Sequence, residues 1–152
     1  MKHDDLGTAS LGVLAQRFVT LPAPSGAALS GFYRSRFIGP WWLRLSAGPS
    51  VALAGLPGWQ GKRFITATQA TNVLLRQGER SDCLSMSCAV TDSVIDGRPV
   101  AALCYGADAP RPWRWVRDEL RQLDAGTLMG MTVIELPLLR HLSFPFLLTR
   151  DA

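Results

Sequence analysis

The sequence predicts a mainly β fold, an antiparallel barrel or a strongly curved sheet, preceded by a short N-terminal helix. About six to nine short segments have the composition of strands, and turn residues separate them roughly every ten residues. Two of these segments flank an Asp-Gly turn, and the first alternates apolar with polar residues. No internal repeat or low-complexity tail interrupts this pattern.

The length and composition are typical of one folded domain. The chain has 152 residues, of which 47% are hydrophobic and 18% charged, and a domain of this size buries roughly two thirds of the surface that its unfolded chain exposes. Such a core needs no metal, cofactor or disulfide framework, and we expect none. We expect a single domain over residues 1–152, with 1–22 as a helical extension and 31–150 as the barrel.

The charge pattern excludes an obvious nucleic-acid site. The net charge is +4, but the arginines are scattered along the chain and never form a run. The polar start of the chain, Met1 to Asp5, does not resemble a signal peptide, and the apolar stretch from Trp41 to Pro57 is too short and too interrupted to span a membrane. We therefore expect a cytoplasmic protein with no integral membrane segment.

Support for catalysis or metal binding is weak. The three cysteines lack CxxC spacing, and the two histidines, His3 and His141, cannot form a histidine-centred metal site without further ligands. No GxSxG, P-loop, HExxH or Rossmann motif occurs. The sequence therefore favours a binding protein over an enzyme.

The elements follow in order along the chain. Helical spacing of apolar residues predicts a short helix between Leu6 and Val19, and aromatic residues predict a strand over Gly31–Phe37. The stretch Ile38–Gly58 is rich in Gly, Pro and small apolar residues, which indicates a long connection with a helical turn over a hydrophobic opening. Further strands are predicted near Gly61–Ile65, Thr71–Gln77, Thr127–Leu136 and Phe144–Arg150.

A hairpin is the clearest local signal. Residues Leu84 to Val90 alternate between apolar and polar side chains, which is typical of a strand with one buried face. Asp96 and Gly97 then suit a two-residue turn, because both central positions of such a turn favour positive φ. With that turn, the predicted register places Val90 opposite Leu103.

The segment Trp113–Leu123 fits two structures. Its apolar residues fall on one helical face, and local evidence alone favours a helix. As a strand, it would place Val116 and Leu120 on one face with Asp118 between them, and charged residues such as Arg117 on the other.

Two motifs resemble small bacterial and plant proteins that join a GXWXG domain to a domain of unknown function. The run "LPGWQGKRF" matches their GWxGKRF element at Gly58, Trp59, Gly61, Lys62, Arg63 and Phe64. The earlier run "LPAPSGAALSGFYRS" resembles their GxWxG element, although Tyr33 replaces the tryptophan and Ser35 the last glycine.

The resemblance implies a lipocalin-like (calycin-type) barrel, and it implies no particular activity. In lipocalin-like barrels a tryptophan near the first strand closes one end over a basic side chain. By that analogy Trp59 is expected to close the barrel, and Trp113–Leu123 is expected to be a strand.

A barrel of this kind suggests a set of candidate ligand-binding residues. They combine aromatic and apolar side chains, which could line a cavity, with charged side chains that could meet a polar head group: Trp41, Trp42, Trp59, Lys62, Arg63, Met86, Tyr105, Arg117, Glu119 and Met131. Each has a structural alternative. The tryptophans could belong to the core or to a dimer contact, and the charged residues could form solvated ion pairs.

Three functional hypotheses follow. The first is a barrel that binds a hydrophobic small molecule such as a fatty acid or lipid-like metabolite. The second is a structural or interaction module that forms a homodimer through its aromatic segment, Phe37 to Leu56. The third is a cone-shaped α+β domain, with Trp113–Leu123 helical, that could serve an isomerase or hydratase.

Overall fold

The computed structural model describes residues 3–150 and shows a closed barrel of eight antiparallel strands. Each strand pairs with the next one, and the last pairs with the first. The strands are β1 Gly31–Phe37, β2 Trp59–Thr66, β3 Gln69–Arg76, β4 Glu79–Asp92, β5 Pro99–Cys104, β6 Val116–Asp124, β7 Thr127–Ile134 and β8 Ser143–Arg150. The helices are α1 His3–Leu6, α2 Leu11–Val19 and α3 Trp41–Leu53, with 3-10 turns at Gly26–Ala28 and Trp113–Trp115. The predicted mainly β antiparallel barrel is confirmed.

The ambiguous segment is a strand over most of its length. A 3-10 turn covers Trp113–Trp115, and β6 then pairs with β5 on one side and with β7 on the other. Val116 and Leu120 are buried on the same face, as period-two alternation requires. The helical spacing of this segment was misleading, because pairing with two neighbouring strands outweighs local propensity. The cone-shaped α+β hypothesis is therefore wrong.

The predicted hairpin exists, but its register differs by two residues. Val90 pairs with Ala101 and not with Leu103, because the turn is longer than the predicted two residues. The Ser93 hydroxyl accepts a hydrogen bond from the Ile95 amide and so holds the wider turn. A shift of two leaves each side chain on its predicted face, since faces alternate with period two.

The stretch predicted as a long connection is a helix. Helix α3 runs through both Gly48 and Pro49, residues that were expected to interrupt it. Proline lacks an N–H and removes one intrahelical hydrogen bond, but the apolar side chains of α3, including the buried Leu43, cover the open end of the barrel. Tertiary packing thus outweighs the two helix-breaking residues. Among the described residues, no helix has the length and hydrophobicity needed to cross a membrane.

The N-terminal helices cover one outer face of the barrel. Their apolar side chains pack with outward-facing residues of several strands, and the cluster comprises Leu6, Leu14, Phe18, Leu21, Ile38, Val100, Ala102, Met129, Met131 and Leu147. A separate cluster fills part of the barrel interior. The predicted N-terminal helical extension is present, divided between α1 and α2.

Tyr33 and Arg150 form the closed end of the barrel. The Tyr33 hydroxyl donates a hydrogen bond to the Ala28 carbonyl over 2.7 Å, and the Arg150 guanidinium lies 5.0 Å from the centre of the Tyr33 ring. This arrangement has the aromatic ring and basic partner expected of Trp59. Trp59 lies at the other end of the barrel, where it starts β2 beside the cavity. It also has a basic partner, because Lys62 Nζ lies 5.6 Å from the centre of its ring.

Candidate functional site

A cavity of about 420 Å³ lies between α3 and the open end of the barrel. Its walls are mostly apolar and aromatic, and they include Trp42, Leu56, Trp59, Trp113, Ile134 and Phe146. The Trp113 indole donates a hydrogen bond to the Ala54 carbonyl over 2.7 Å, which ties the end of α3 to the barrel. Pockets of this volume, concave and largely apolar, accommodate small organic molecules.

Lys62 lies at the polar floor of this cavity. Its side chain is almost fully buried, and its Nζ lies 2.9 Å from Asp118 Oδ2, 3.0 Å from Asn72 Oδ1 and 3.3 Å from the Tyr105 hydroxyl. A buried ammonium is costly unless it is paired and hydrogen-bonded. The chain itself supplies both compensations, because strands β2 and β6 bring Lys62 and Asp118 together across the barrel interior.

Asn72 and Thr132 complete the polar cluster. Asn72 Oδ1 also accepts a hydrogen bond from the Trp59 indole over 3.1 Å, and its Nδ2 donates to the Tyr105 hydroxyl over 2.9 Å. The Thr132 hydroxyl donates to Asp118 Oδ1 over 2.7 Å. The Met86 sulfur of β4 also lies 3.6 Å from Lys62 Nζ. Side chains from β2, β3, β4, β6 and β7, together with Tyr105 after β5, therefore meet in one connected network.

The electrostatics of the cluster favour a charged lysine and a neutral tyrosine. Burial lowers the pKa of Lys62, but the Asp118 carboxylate and Tyr105 outweigh burial, and the pKa of Lys62 is raised above its ordinary value. Burial raises the pKa of Tyr105, and Lys62 opposes this rise only in part. The cluster thus contains one positive and one negative group around neutral hydrogen-bonding partners.

Five of the candidate ligand-binding residues lie at or beside this cavity. Trp42, Trp59, Lys62 and Tyr105 line it. Met86 is buried in the barrel core, and its sulfur lies 3.6 Å from Lys62 Nζ.

Two candidates from the aromatic and basic motifs lie elsewhere. Trp41 is the first residue of α3, and 67% of its surface is exposed. Arg63 of β2 is half-exposed and forms an ion pair with Asp82 of β4, across the intervening strand β3. Neither residue lines the cavity. On β2 successive residues face opposite sides, so Lys62 occupies the inner face and Arg63 the outer one.

Three further candidates face outward from the barrel. Arg117 Nε donates to Glu119 Oε1 over 3.0 Å, and Glu119 also accepts from the Val94 amide over 2.8 Å beneath the β4–β5 turn. Met131 pairs with Glu119 across β6 and β7 and packs in the cluster under the N-terminal helices. Their expected interior positions were wrong, since the inward face of β6 carries Val116, Asp118 and Leu120. Leu84 of β4 packs near Trp113 in a cluster beside the cavity.

The sequence interpretation missed Asn72, Trp113 and Asp118 as site residues. A signal for Asp118 was present, because a carboxylate between two inward apolar residues of a strand requires a buried partner. That partner, Lys62, is distant in sequence and on a non-adjacent strand. Asn72 and Trp113 carried no comparable signal.

Neither a metal-ligand cluster nor an activated Cys88 thiol is found among the described residues. Among residues 3–150, no group of three or more His, Cys, Asp or Glu side chains is placed to hold a metal ion. Burial, together with the nearby Cys104, raises the pKa of the Cys88 thiol to about 11. A thiol with such a pKa stays protonated near neutral pH and is a poor nucleophile.

Comparison with known proteins supports the fold. No family model matches the sequence, and no curated protein matches it either. A crystal structure of a protein from Thermomonospora curvata aligns with a TM-score of 0.73 and 15% sequence identity, over 95% of this chain and 90% of that chain. At this identity the similarity concerns the barrel fold alone, so the class that the fold and the site define is a closed eight-stranded barrel with an apolar cavity.

Proposed function

We propose that this protein binds a hydrophobic small molecule, of fatty-acid or other lipid-like size, inside its barrel. The observation that carries the proposal is the cavity of about 420 Å³, whose mostly apolar walls end in a single polar cluster. Apolar walls supply affinity through burial, and a few polar groups fix orientation. The lipocalin-like character of the barrel and its membership of the GXWXG proteins belong to the same proposal.

The floor cluster supports binding more than catalysis. Lys62 is held in an ion pair and two further hydrogen bonds, so it is not free to act as a base or nucleophile. Its neighbour Asn72 is likewise fully engaged through both amide atoms. Side chains held in place in this way shape a binding site and orient its remaining polar groups.

Native mass spectrometry of the protein purified from cells, followed by organic extraction, tests the proposal. The expected result is an added mass that disappears on extraction, or saturable uptake of an apolar probe by the emptied protein. Ile134→Trp should abolish ligand binding, because Ile134 lines the cavity. Ile65→Trp, at an exposed position of β2, should leave binding unchanged. Equal binding by both variants, or no binding of any apolar probe, would contradict the proposal.

A second candidate function is self-association through α3. Trp41, Leu45 and Leu53 expose 67%, 70% and 90% of their surface along one helix, and apolar residues grouped in this way are typical of interaction surfaces. Size-exclusion chromatography with light scattering tests it. A dimer that Leu45→Asp converts to a monomer supports this function, and a strict monomer at high concentration overturns it.

A further inference from the structure

The charge on Lys62 is already neutralised within the chain. Asp118 Oδ2 lies 2.9 Å from Lys62 Nζ, and the two side chains are only 2% and 5% exposed. A ligand carboxylate at this floor would therefore approach a cluster with no net positive charge. It would also lose its hydration next to an existing carboxylate, which is costly in a buried site.

Most of the hydrogen-bonding capacity of the cluster is used. The three N–H groups of Lys62 have acceptors in Asp118, Asn72 and Tyr105. Asn72 Oδ1 accepts from Lys62 and Trp59, while its Nδ2 donates to Tyr105 and to a backbone carbonyl. Neither residue has a donor left for an anionic head group.

Tyr105 and Asp118 can each form a further hydrogen bond. The Tyr105 oxygen accepts from Asn72 and Lys62, and among the contacts of residues 3–150 no acceptor takes the proton of its hydroxyl group. The Asp118 carboxylate accepts from Lys62 and Thr132 and has further lone pairs. Because both groups contact the same lysine nitrogen, one donor and one acceptor lie close together at the cavity floor.

We propose, on the basis of the binding function above, that the cavity selects a neutral apolar molecule with a hydroxyl head over the corresponding carboxylate. The ligand hydroxyl accepts a hydrogen bond from Tyr105 and donates one to Asp118. A hydroxyl both donates and accepts a hydrogen bond, which matches the unused Tyr105 donor and the unused Asp118 acceptor. An ionised carboxylate only accepts, and Asp118 repels it. The ligand class is thus a long-chain or polycyclic alcohol.

Competition binding with 1-decanol and decanoate at pH 7 tests this selectivity, because the two probes share one chain and differ in the head group. We expect 1-decanol to bind at least about tenfold more tightly, the ratio that corresponds to the loss of one good hydrogen bond. Decanoate binding as tightly or more tightly would overturn the selectivity while leaving the binding function intact. If neither probe binds, and no apolar probe does, the proposed function and the selectivity both fail.

Two variants test whether the preference for the alcohol depends on Asp118 at the cavity floor. Asp118→Asn removes the internal counter-ion, so decanoate should gain at least about tenfold relative to 1-decanol. Asp82→Asn is the matched control: it makes the same change in an exposed pair with Arg63 and should leave the ratio unchanged. An unaltered ratio in Asp118→Asn would overturn the proposal.

A milder variant keeps the test available if Asp118→Asn does not fold. Tyr105→Phe retains the ring and removes only the hydroxyl, so it should weaken 1-decanol about fivefold or more and leave n-decane uptake unchanged. Equal loss for the alcohol and the alkane, or no loss for either, would overturn the role of the Tyr105 hydroxyl and with it the proposed selectivity.

Discussion

Lys62 and Asp118 form an ion pair across the barrel interior, with 2.9 Å between Nζ and Oδ2 and both side chains buried. The two residues belong to β2 and β6, which are not neighbours in the barrel. This pair links opposite walls and separates the packed interior from the cavity, so several consequences of the structure depend on it.

Removing one partner of this pair should be costly. Lys62→Met leaves Asp118 buried without its cation, and we expect the free energy of unfolding to fall by about 3 kcal/mol or more. The double variant Lys62→Met, Asp118→Leu removes both charges and should recover much of that loss. Urea unfolding of the single and double variants measures the difference, and a double variant no more stable than Lys62→Met would contradict this account.

A second buried cation should make stability depend on acid pH. Arg121 donates to both Asp96 oxygens, at 2.6 and 2.8 Å, and this hydrogen bonding is the main reason that the pKa of Asp96 falls to about 2. Because the folded pKa lies below the unfolded value of about 3.9, the contribution is complete above that pH and is lost as pH falls toward 2.

Asp96→Asn isolates this contribution. The substitution should lower the free energy of unfolding at pH 7 by about 1 kcal/mol, allowing for solvent screening at a partly exposed site. The variant should also lose less stability than the parent between pH 4 and pH 2. Thermal unfolding across this range measures both effects, and parallel pH profiles would contradict the assignment to Asp96.

Gly61 should not tolerate a side chain. A Cβ atom there would collide with the Tyr33 carbonyl oxygen and crowd the Ser35 amide nitrogen on β1. Gly61→Ala should therefore destabilise the barrel by about 2 kcal/mol or more through overpacking against backbone. Gly126→Ala is the control, since no atom lies within 4 Å of its Cβ position. Similar denaturation midpoints for the two variants would contradict the close approach.

The adjacent tryptophans of α3 should differ in their effect on binding. Trp42 lines the cavity, whereas Trp41 does not and is 67% exposed. Trp42→Ala should weaken 1-decanol binding about fivefold or more, because apolar contact area is lost. Trp41→Ala should change it less than twofold, roughly 0.4 kcal/mol. Isothermal titration of the two variants makes the comparison, and equal losses would show that α3 is oriented differently.

Local chemistry was enough to predict several elements of the fold. The bounds of β1 agree with the prediction at both ends, because aromatic strand residues follow a turn there. The two glycines around Trp59 both stand where the backbone leaves no room for a side chain: Gly58 has φ of +72°, and a Cβ atom there would collide with the Leu75 carbonyl. Such features depend on a few neighbouring residues, and the sequence displays them directly.

The inner wall of the barrel was harder to predict. Period-two alternation separates the faces of β6 but does not say which face is the interior, and Arg117 and Glu119 were assigned to it in place of Asp118. The deciding contact, from Lys62, comes from a strand that is distant in sequence. Helix α3 was missed for a related reason, because the barrel opening that it covers forms only when the sheet closes.

A crystal structure of the protein soaked with 1-decanol would show whether the cavity holds an alcohol at its polar floor. We expect density for one alkyl chain between α3 and the barrel, with the hydroxyl within hydrogen-bonding distance of Tyr105 and Asp118. The Lys62–Asp118 pair should stay intact when the ligand is bound. An empty cavity at saturating 1-decanol, or a chain bound only on the outer surface, would contradict the claim.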